Sequence, residues 1–180
     1  MKLIGEINEV NQKQIQYFKE TKAQAELVDK PLGDLIYYFV SKNEKRYDEE
    51  AKSLKRSLNL NEQVYFSIAV RAYAETKNWP EVAAIMKMKN PPVPYSTIGE
   101  ILCDAGNREM AQDALRKVQN KDLRVELLIE HQFWKPAIEE MCAAKLHEDY
   151  EDQLIGRARQ AGQGWVEQEY MRERERLQLK

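Results

Sequence analysis

Glycine and proline are scarce in this sequence, seven and six among 180 residues, and their scarcity argues against two architectures at once. Loop-rich β folds and low-complexity disordered chains both need far more turn-forming residues. Cysteine and histidine are rarer still, with two of each. Cys103 and Cys142 each sit inside an apolar-periodic stretch, which suits core thiols in a reducing, intracellular compartment better than a disulfide framework. Neither cysteine combines with His131 or His147 at a metal-ligand spacing such as C-x-x-C or H-E-x-x-H, and no phosphate loop is present. No metal and no cofactor are expected.

An excess of charge of one sign is also missing. Lys and Arg number 28 against 30 Asp and Glu, and the balance stays close to neutral along the chain, so the basic patch that nucleic-acid binders use to neutralise phosphates does not stand out. Nucleic acid is not an expected partner. Long hydrophobic runs are absent as well: "LIYYFV" and "VAAIM" are the longest, far short of the roughly 20 residues that span a bilayer. The opening "MKLIGEINEV" has no apolar signal-peptide core. The chain reads as soluble and not secreted by a signal of its own.

What the sequence does contain is helical periodicity. Leu3, Ile7, Val10, Gln14 and Tyr17 follow an i, i+3/i+4 pattern with one polar interruption; Leu32, Leu35, Ile36, Phe39 and Val40 repeat it, and so do Tyr47, Ala51, Leu54 and Leu58. From Asn61, an N-cap residue, "NEQVYFSIAVRAYAETK" is apolar nearly all round and leaves Ser67, Arg71 and Glu75 as its polar stripe, the pattern of a helix sandwiched between neighbours. Asn78 then turns the chain, and Pro80 falls in the first turn of the next helix. "NPPVP" breaks the pattern. Tyr95, Ile98, Ile101, Leu102 and Ala105 form the following face, which Gly106 ends and Asn107 follows as a cap for Met110, Ala111, Ala114, Leu115 and Val118.

The scheme recurs in "NKDLRVELLIEH", a turn at His131 and Gln132, and then Trp134, Ala137, Ile138 and Met141 on one face. Small residues at Ala83, Ala111 and Ala137 follow the turns at similar offsets and allow close helix approach. Hairpins beginning near Asn61, Tyr95 and Asn120 are spaced like solenoid repeats but too irregularly for a strict tetratricopeptide array. The fold expected is all-α, an irregular α-solenoid of antiparallel helical hairpins. Its expected extent is residues 1–162, with 1–30 as a leading helix that either continues the solenoid or frays. Residues 163–180 are a charged helical tail in which Gly162 and Gly164 interrupt the chain and "RERER" forms local ion pairs.

Chemistry is thinly represented. Cys142 and His147 lie five residues apart, but no oxyanion donor, acidic orienter or glycine-rich elbow accompanies them, so catalysis is set aside. Trp79 and Trp134 stand at hairpin turns, where a large side chain most simply fills the wedge between two helices.

The stretch "AKSLKRSLNLNEQVYFSIAVRAYAETKNWPEVAAIMKMKNPPVPYSTIGEILCDAGNREMAQDALRKV" resembles the C-terminal helical region of vacuolar protein sorting-associated protein sixteen. The likeness lies in order and spacing: the Leu-Lys-Arg helix before Asn59, the pair Tyr65 and Phe66, the turn at Trp79, the Lys- and Pro-rich break before Tyr95, and the Glu100-Ile101 helix leading to Asn107. "NKDLRVELLIEHQFWKPAIEEM" extends it, so that roughly residues 30 to 160 are covered. The resemblance implies a subunit of the class C core of the HOPS and CORVET tethering complexes. It implies an α-solenoid that binds an SM-family protein of the vacuolar protein sorting thirty-three type, bringing SNARE-assembly machinery to endosomes and to vacuoles or lysosomes.

Full-length members of that family carry an N-terminal β-propeller, which is absent here, so the chain reads as an excised fragment. Further implications are other class C subunits as partners, a cytoplasmic location peripheral on late endosome, lysosome or vacuole membranes, and membrane association only through the complex. The family's SM-binding part corresponds to residues 41–78, where Arg46, Lys55, Arg56, Gln63 and Arg71 are the expected contacts, the first three lying off the apolar stripe of their helix. A clathrin-like helical-repeat adaptor and, more remotely, a helical enzyme remain the alternatives.

Overall fold

A computed structural model describes residues 31–177 together with Ile15. The periodic segment from Leu3 to Tyr17, and the question of whether residues 1–30 continue the solenoid, fall outside the described residues. Ten α-helices and no strand occur among the residues described, so the fold is all-α. The chain divides into two compact units between Val93 and Pro94, at the break that "NPPVP" makes.

The first unit contains α1 (Leu32–Ser41), α2 (Lys45–Ser57), α3 (Glu62–Glu75) and α4 (Trp79–Met86). Here α1 packs against both α2 and α3, and α3 against α4. Leu35, Ile36 and Val40 of α1 are fully buried, as are Ala51 of α2 and Val70, Ala72 and Ala74 of α3. Each large aliphatic side chain so removed from water contributes about 1.5–3 kcal/mol. The stripe expected on α3 is where solvent reaches it: Arg71 and Glu75 are exposed and Ser67 half-buried. Asn61 caps that helix through its side chain, accepting from the backbone N–H of Gln63 at 2.7 Å.

The second unit holds α5 (Tyr95–Asp104), α6 (Arg108–Leu115), α7 (Lys121–Glu130), α8 (Trp134–Ala144), α9 (His147–Gln160) and α10 (Trp165–Arg176). Neighbours in sequence pair as hairpins, and α7 also packs on α9 and α8 on α10, so hairpin lies on hairpin in the manner of a solenoid. Asn107 and Asn120 accept from the N–H groups of Met110 and Leu123 and so cap α6 and α7.

The bends share one backbone. Lys77, Gly106 and Gln132 adopt positive φ of 58, 79 and 60°, and the residue after each opens the next helix with nearly the same angles: φ −81, ψ 67 at Asn78; φ −90, ψ 77 at Asn107; φ −88, ψ 64 at Phe133. In every case the N–H of that residue reaches back five positions to close the preceding helix, Asn78 to Tyr73, Asn107 to Leu102 and Phe133 to Leu128, at 2.8 to 3.0 Å. This is the Schellman termination, which satisfies otherwise orphaned carbonyls.

Side chains then tie bend to bend. Arg108 donates to the carbonyls of His131 at 2.9 Å and Gln132 at 3.2 Å while its guanidinium stacks 4.4 Å from the Phe133 ring centre. In the first unit Asn78 donates to the Asn43 side chain at 2.7 Å.

Two sequence expectations need correction. Cys103 is only half-buried, in contrast to Cys142, because it sits on the flank of α5 beside Ile101 and Leu102, which face the core. Trp79 is half-buried rather than a core filler, whereas Trp134 is buried. In the C-terminal helix the "RERER" run forms local ion pairs, Arg172 with Glu169 at 3.6 Å and Arg176 with Glu173, while Val166 and Tyr170 ahead of it are fully buried and the Tyr170 hydroxyl and Arg174 both bond Glu151, at 3.0 and 3.2 Å.

Candidate protein-interaction surface

The five side chains expected to contact a partner all lie in the first unit, and the fold distributes them over different flanks. Arg46 is exposed in the first turn of α2. Lys55, nine positions on, projects from nearly the opposite side of a helix with 3.6 residues per turn. Contrary to its expected place off the apolar stripe, Lys55 is half-buried: its Nζ lies 2.9 Å from Glu62 and 5.2 and 5.4 Å from the ring centres of Tyr65 and Phe66. A cation held over two rings contributes about 0.5–1 kcal/mol per favourable contact, and this one joins α2 to α3.

Arg56 is exposed on the outer side of α2, with Nε donating to the Lys52 carbonyl at 3.3 Å. Gln63 is exposed in the first turn of α3. Arg71 is exposed further along α3, beside the pair in which the Tyr37 hydroxyl donates to Glu75. That hydrogen bond, followed by burial and the Glu75 charge, raises the Tyr37 pKa, while Arg71 pulls it down. Arg71 therefore belongs to the α1 flank of α3 and Lys55 to the flank that meets α2.

Between these flanks α3 is fixed by tyrosines. Tyr65 is buried, and burial, aided by Asp48 and Glu49, pushes its hydroxyl up to about 12. Tyr73 is raised further, again mainly by burial, and its hydroxyl donates to Asp48 at 3.4 Å. Both side chains are neutral throughout the physiological range and serve packing.

Other charged residues of α2 align with Arg56. Lys45, Glu49 and Lys52 stand on the same side of α2, all exposed. The signal was available in their i, i+4, i+7, i+11 spacing, but the near-neutral composition of the segment hides a face that is neutral only when both sides of the helix are added together.

The second unit offers a shallow groove of about 380 Å³ where the α7–α8 bend meets the last turn of α9. Its lining includes one cation, Arg157, and one carboxylate, Glu130, above Ile129 and Trp134. Such a balanced lining favours neither sign of ligand.

The residues considered for nucleophilic chemistry are placed unfavourably for it. Cys142 is 2% exposed, and burial raises its thiol pKa, which suppresses the thiolate that nucleophilic attack needs. Burial likewise pushes Cys103 up to about 11. Among the described residues no group of His, Cys, Asp and Glu could hold a metal ion, and no helix is long and apolar enough to cross a membrane.

Stacked helical hairpins of this kind define the class of α-solenoid-like folds. Within that class the chain belongs to the family described as Vps16, C-terminal region, which matches residues 4–161. The match ends at the last turn of α9. Members of this family are tethering-complex subunits rather than known enzymes. No curated protein and no solved structure matches the chain.

Proposed function

We propose that this chain is a non-enzymatic scaffold of a class C tethering core, of the HOPS or CORVET type, that binds an SM-family protein of the vacuolar protein sorting thirty-three type. In that role it supports SNARE-mediated fusion from the cytoplasmic side of late endosome, lysosome or vacuole membranes, held there through the other subunits. The observation that carries this reading is the family match over residues 4–161, which includes α2 and α3, the helices within the proposed docking region of residues 41–78. The exposure of Arg46, Arg56, Gln63 and Arg71 supports it, since arginine heads pair with acceptors in two directions while their stems pack.

The test is retention of the purified SM-family subunit by the full chain and by the double variant Arg56→Glu with Arg71→Glu. Like charges brought together at an interface cost several kcal/mol, whereas reversing an exposed charge changes fold stability little. Binding is expected to be abolished at unchanged helicity. Wild-type retention by the double variant would move the docking surface to the hairpins after Pro94. The two single variants then separate the α2 side from the α1 flank of α3.

A further inference from the structure

Among the described residues α2 is covered on one side. Ala51 and Leu54 are buried on it, and α1 is the helix it packs against most fully. The opposite side carries Lys45, Glu49, Lys52 and Arg56, whose spacing lines them up along about 16 Å of helix. All four are exposed.

The fold makes little use of these charges. Lys52 Nζ lies 3.5 Å from Glu49, with 52% and 58% of the two side chains exposed. So wet a pair leaves both charges largely available to a third group. Arg56 is exposed and, among the described residues, its guanidinium makes one hydrogen bond, from Nε to the Lys52 carbonyl. Among the described residues Lys45 makes no ion pair. The stripe therefore reads plus, minus, plus, plus along the helix, with Arg46 at its margin.

We propose that this stripe recognises an acidic helix on a partner protein, with carboxylates opposite Lys45 and opposite the Lys52–Arg56 pair and a cation opposite Glu49. The inference rests on the reading that the chain docks a protein through residues 41–78, and it names the face and the chemistry of that contact. A protein fits better than an anionic membrane for two reasons. A lipid surface presents one sign of charge and repels Glu49 from the centre of the stripe. A helix lying on lipid also needs large apolar side chains beside its cations, and α2 exposes none.

The experiment measures affinity of the full chain for the purified SM-family subunit at low and high salt. The variant Lys45→Glu with Lys52→Glu and Arg56→Glu is expected to bind at least about a hundredfold more weakly at unchanged helicity. If four like charges along the face loosen α2 itself, the neutral version, Gln at the same three positions, carries the test with an expected loss of about tenfold. Glu49→Lys is expected to weaken binding as well, because it sets a cation against a cation.

A wild-type chain that fails to bind the subunit overturns the functional reading and the inference with it. Wild-type binding with full affinity in both triple variants overturns the stripe alone and leaves the functional reading standing. Tighter binding by Glu49→Lys overturns the alternating pattern of the partner. Vesicles of phosphatidylserine and phosphatidylcholine serve as the remaining probe. Capture of the chain by them, lost in the triple variants while the subunit still binds, would assign the stripe to lipid instead.

Discussion

Replacing Gly99 by alanine should destabilise the α5–α6 hairpin, although alanine is the better helix former. Gly99 lies in the middle of α5 and is buried. A Cβ built there falls 2.4 Å from Leu115 Cδ2, 2.7 Å from Leu115 Cγ and 3.6 Å from the Ala111 carbonyl oxygen. Two opposing contributions decide the sign. Alanine in a helix interior gains about 1 kcal/mol over glycine, whereas an extra carbon in a filled core costs about 1–3 kcal/mol.

The clash should win because it involves Cγ as well as the methyl. A rotation of the terminal methyl relieves the first contact but not the second, and Leu115 is fully buried, with no open side to swing into. The net loss expected is on the order of 1 kcal/mol, or several degrees in melting temperature for a domain of this size. Urea unfolding followed by circular dichroism measures it, with an unchanged slope showing that only stability has moved.

Leu115→Ala alone should cost about 2–5 kcal/mol by opening a cavity. Combined with Gly99→Ala, part of that cost should be recovered, since the new methyl then points into the space vacated. A Gly99→Ala chain as stable as the wild type or more so, or strict additivity in the double variant, would show that α5 and α6 separate easily and that close approach at Gly99 is not what holds the hairpin.

Other expectations follow from the same packing. Ala111→Trp places an indole where the native methyl is fully buried, and a loss of at least about 1–3 kcal/mol is expected; an unchanged melting temperature would put Ala111 on the wrong side of α6. Lys77→Gly should stabilise the first unit by up to about 1 kcal/mol, because Lys77 holds φ 58° at an exposed bend where a side chain is strained; equal or lower stability in urea would refute it. Burial, then the hydrogen bond to Glu151, pushes Tyr170 up to about 12 from 10.0, so the neutral phenol is favoured in the folded chain. The stability this provides is complete below pH 10 and is lost as pH rises toward 12. Tyr170→Phe should lose less stability than the wild type across that interval, and parallel loss in the two chains would contradict the assignment.

The helices were legible in the sequence wherever one side is apolar and the ends carry short polar caps. Ala111, Ala114, Leu115 and Val118 are buried as their spacing requires, and Asn61 and Asn107 cap as their positions suggest. Glycine was a sound marker of the bends at Gly106 and Gly162, both at positive φ. The same bend at Lys77 and Gln132, and the same left-handed termination at Lys145, left no such mark. A left-handed residue costs roughly 1–2 kcal/mol without glycine, and the hydrogen bonds that close the helix offset it, so selection on residue type there is weak. A hairpin repeat can therefore persist in the backbone after it has faded from the letters.

The interaction surface was legible only in part, and for a different reason. A helix face buried in the core announces itself through apolar period, because one misplaced polar group there costs several times the thermal energy. A charged face open to water is under no comparable constraint from folding, and its pattern registers only once the covered side is known. Arg56 and Lys55 are adjacent in sequence and equally cationic, yet the first faces solvent while the second is spent on Glu62, Tyr65 and Phe66. With the covered side located by Ala51 and Leu54, the exposed cations of α2 reduce to Lys45, Arg46, Lys52 and Arg56. If a partner is read by α2, these are the cations that must read it, and Lys55→Gln should then weaken the fold of the first unit more than it weakens binding.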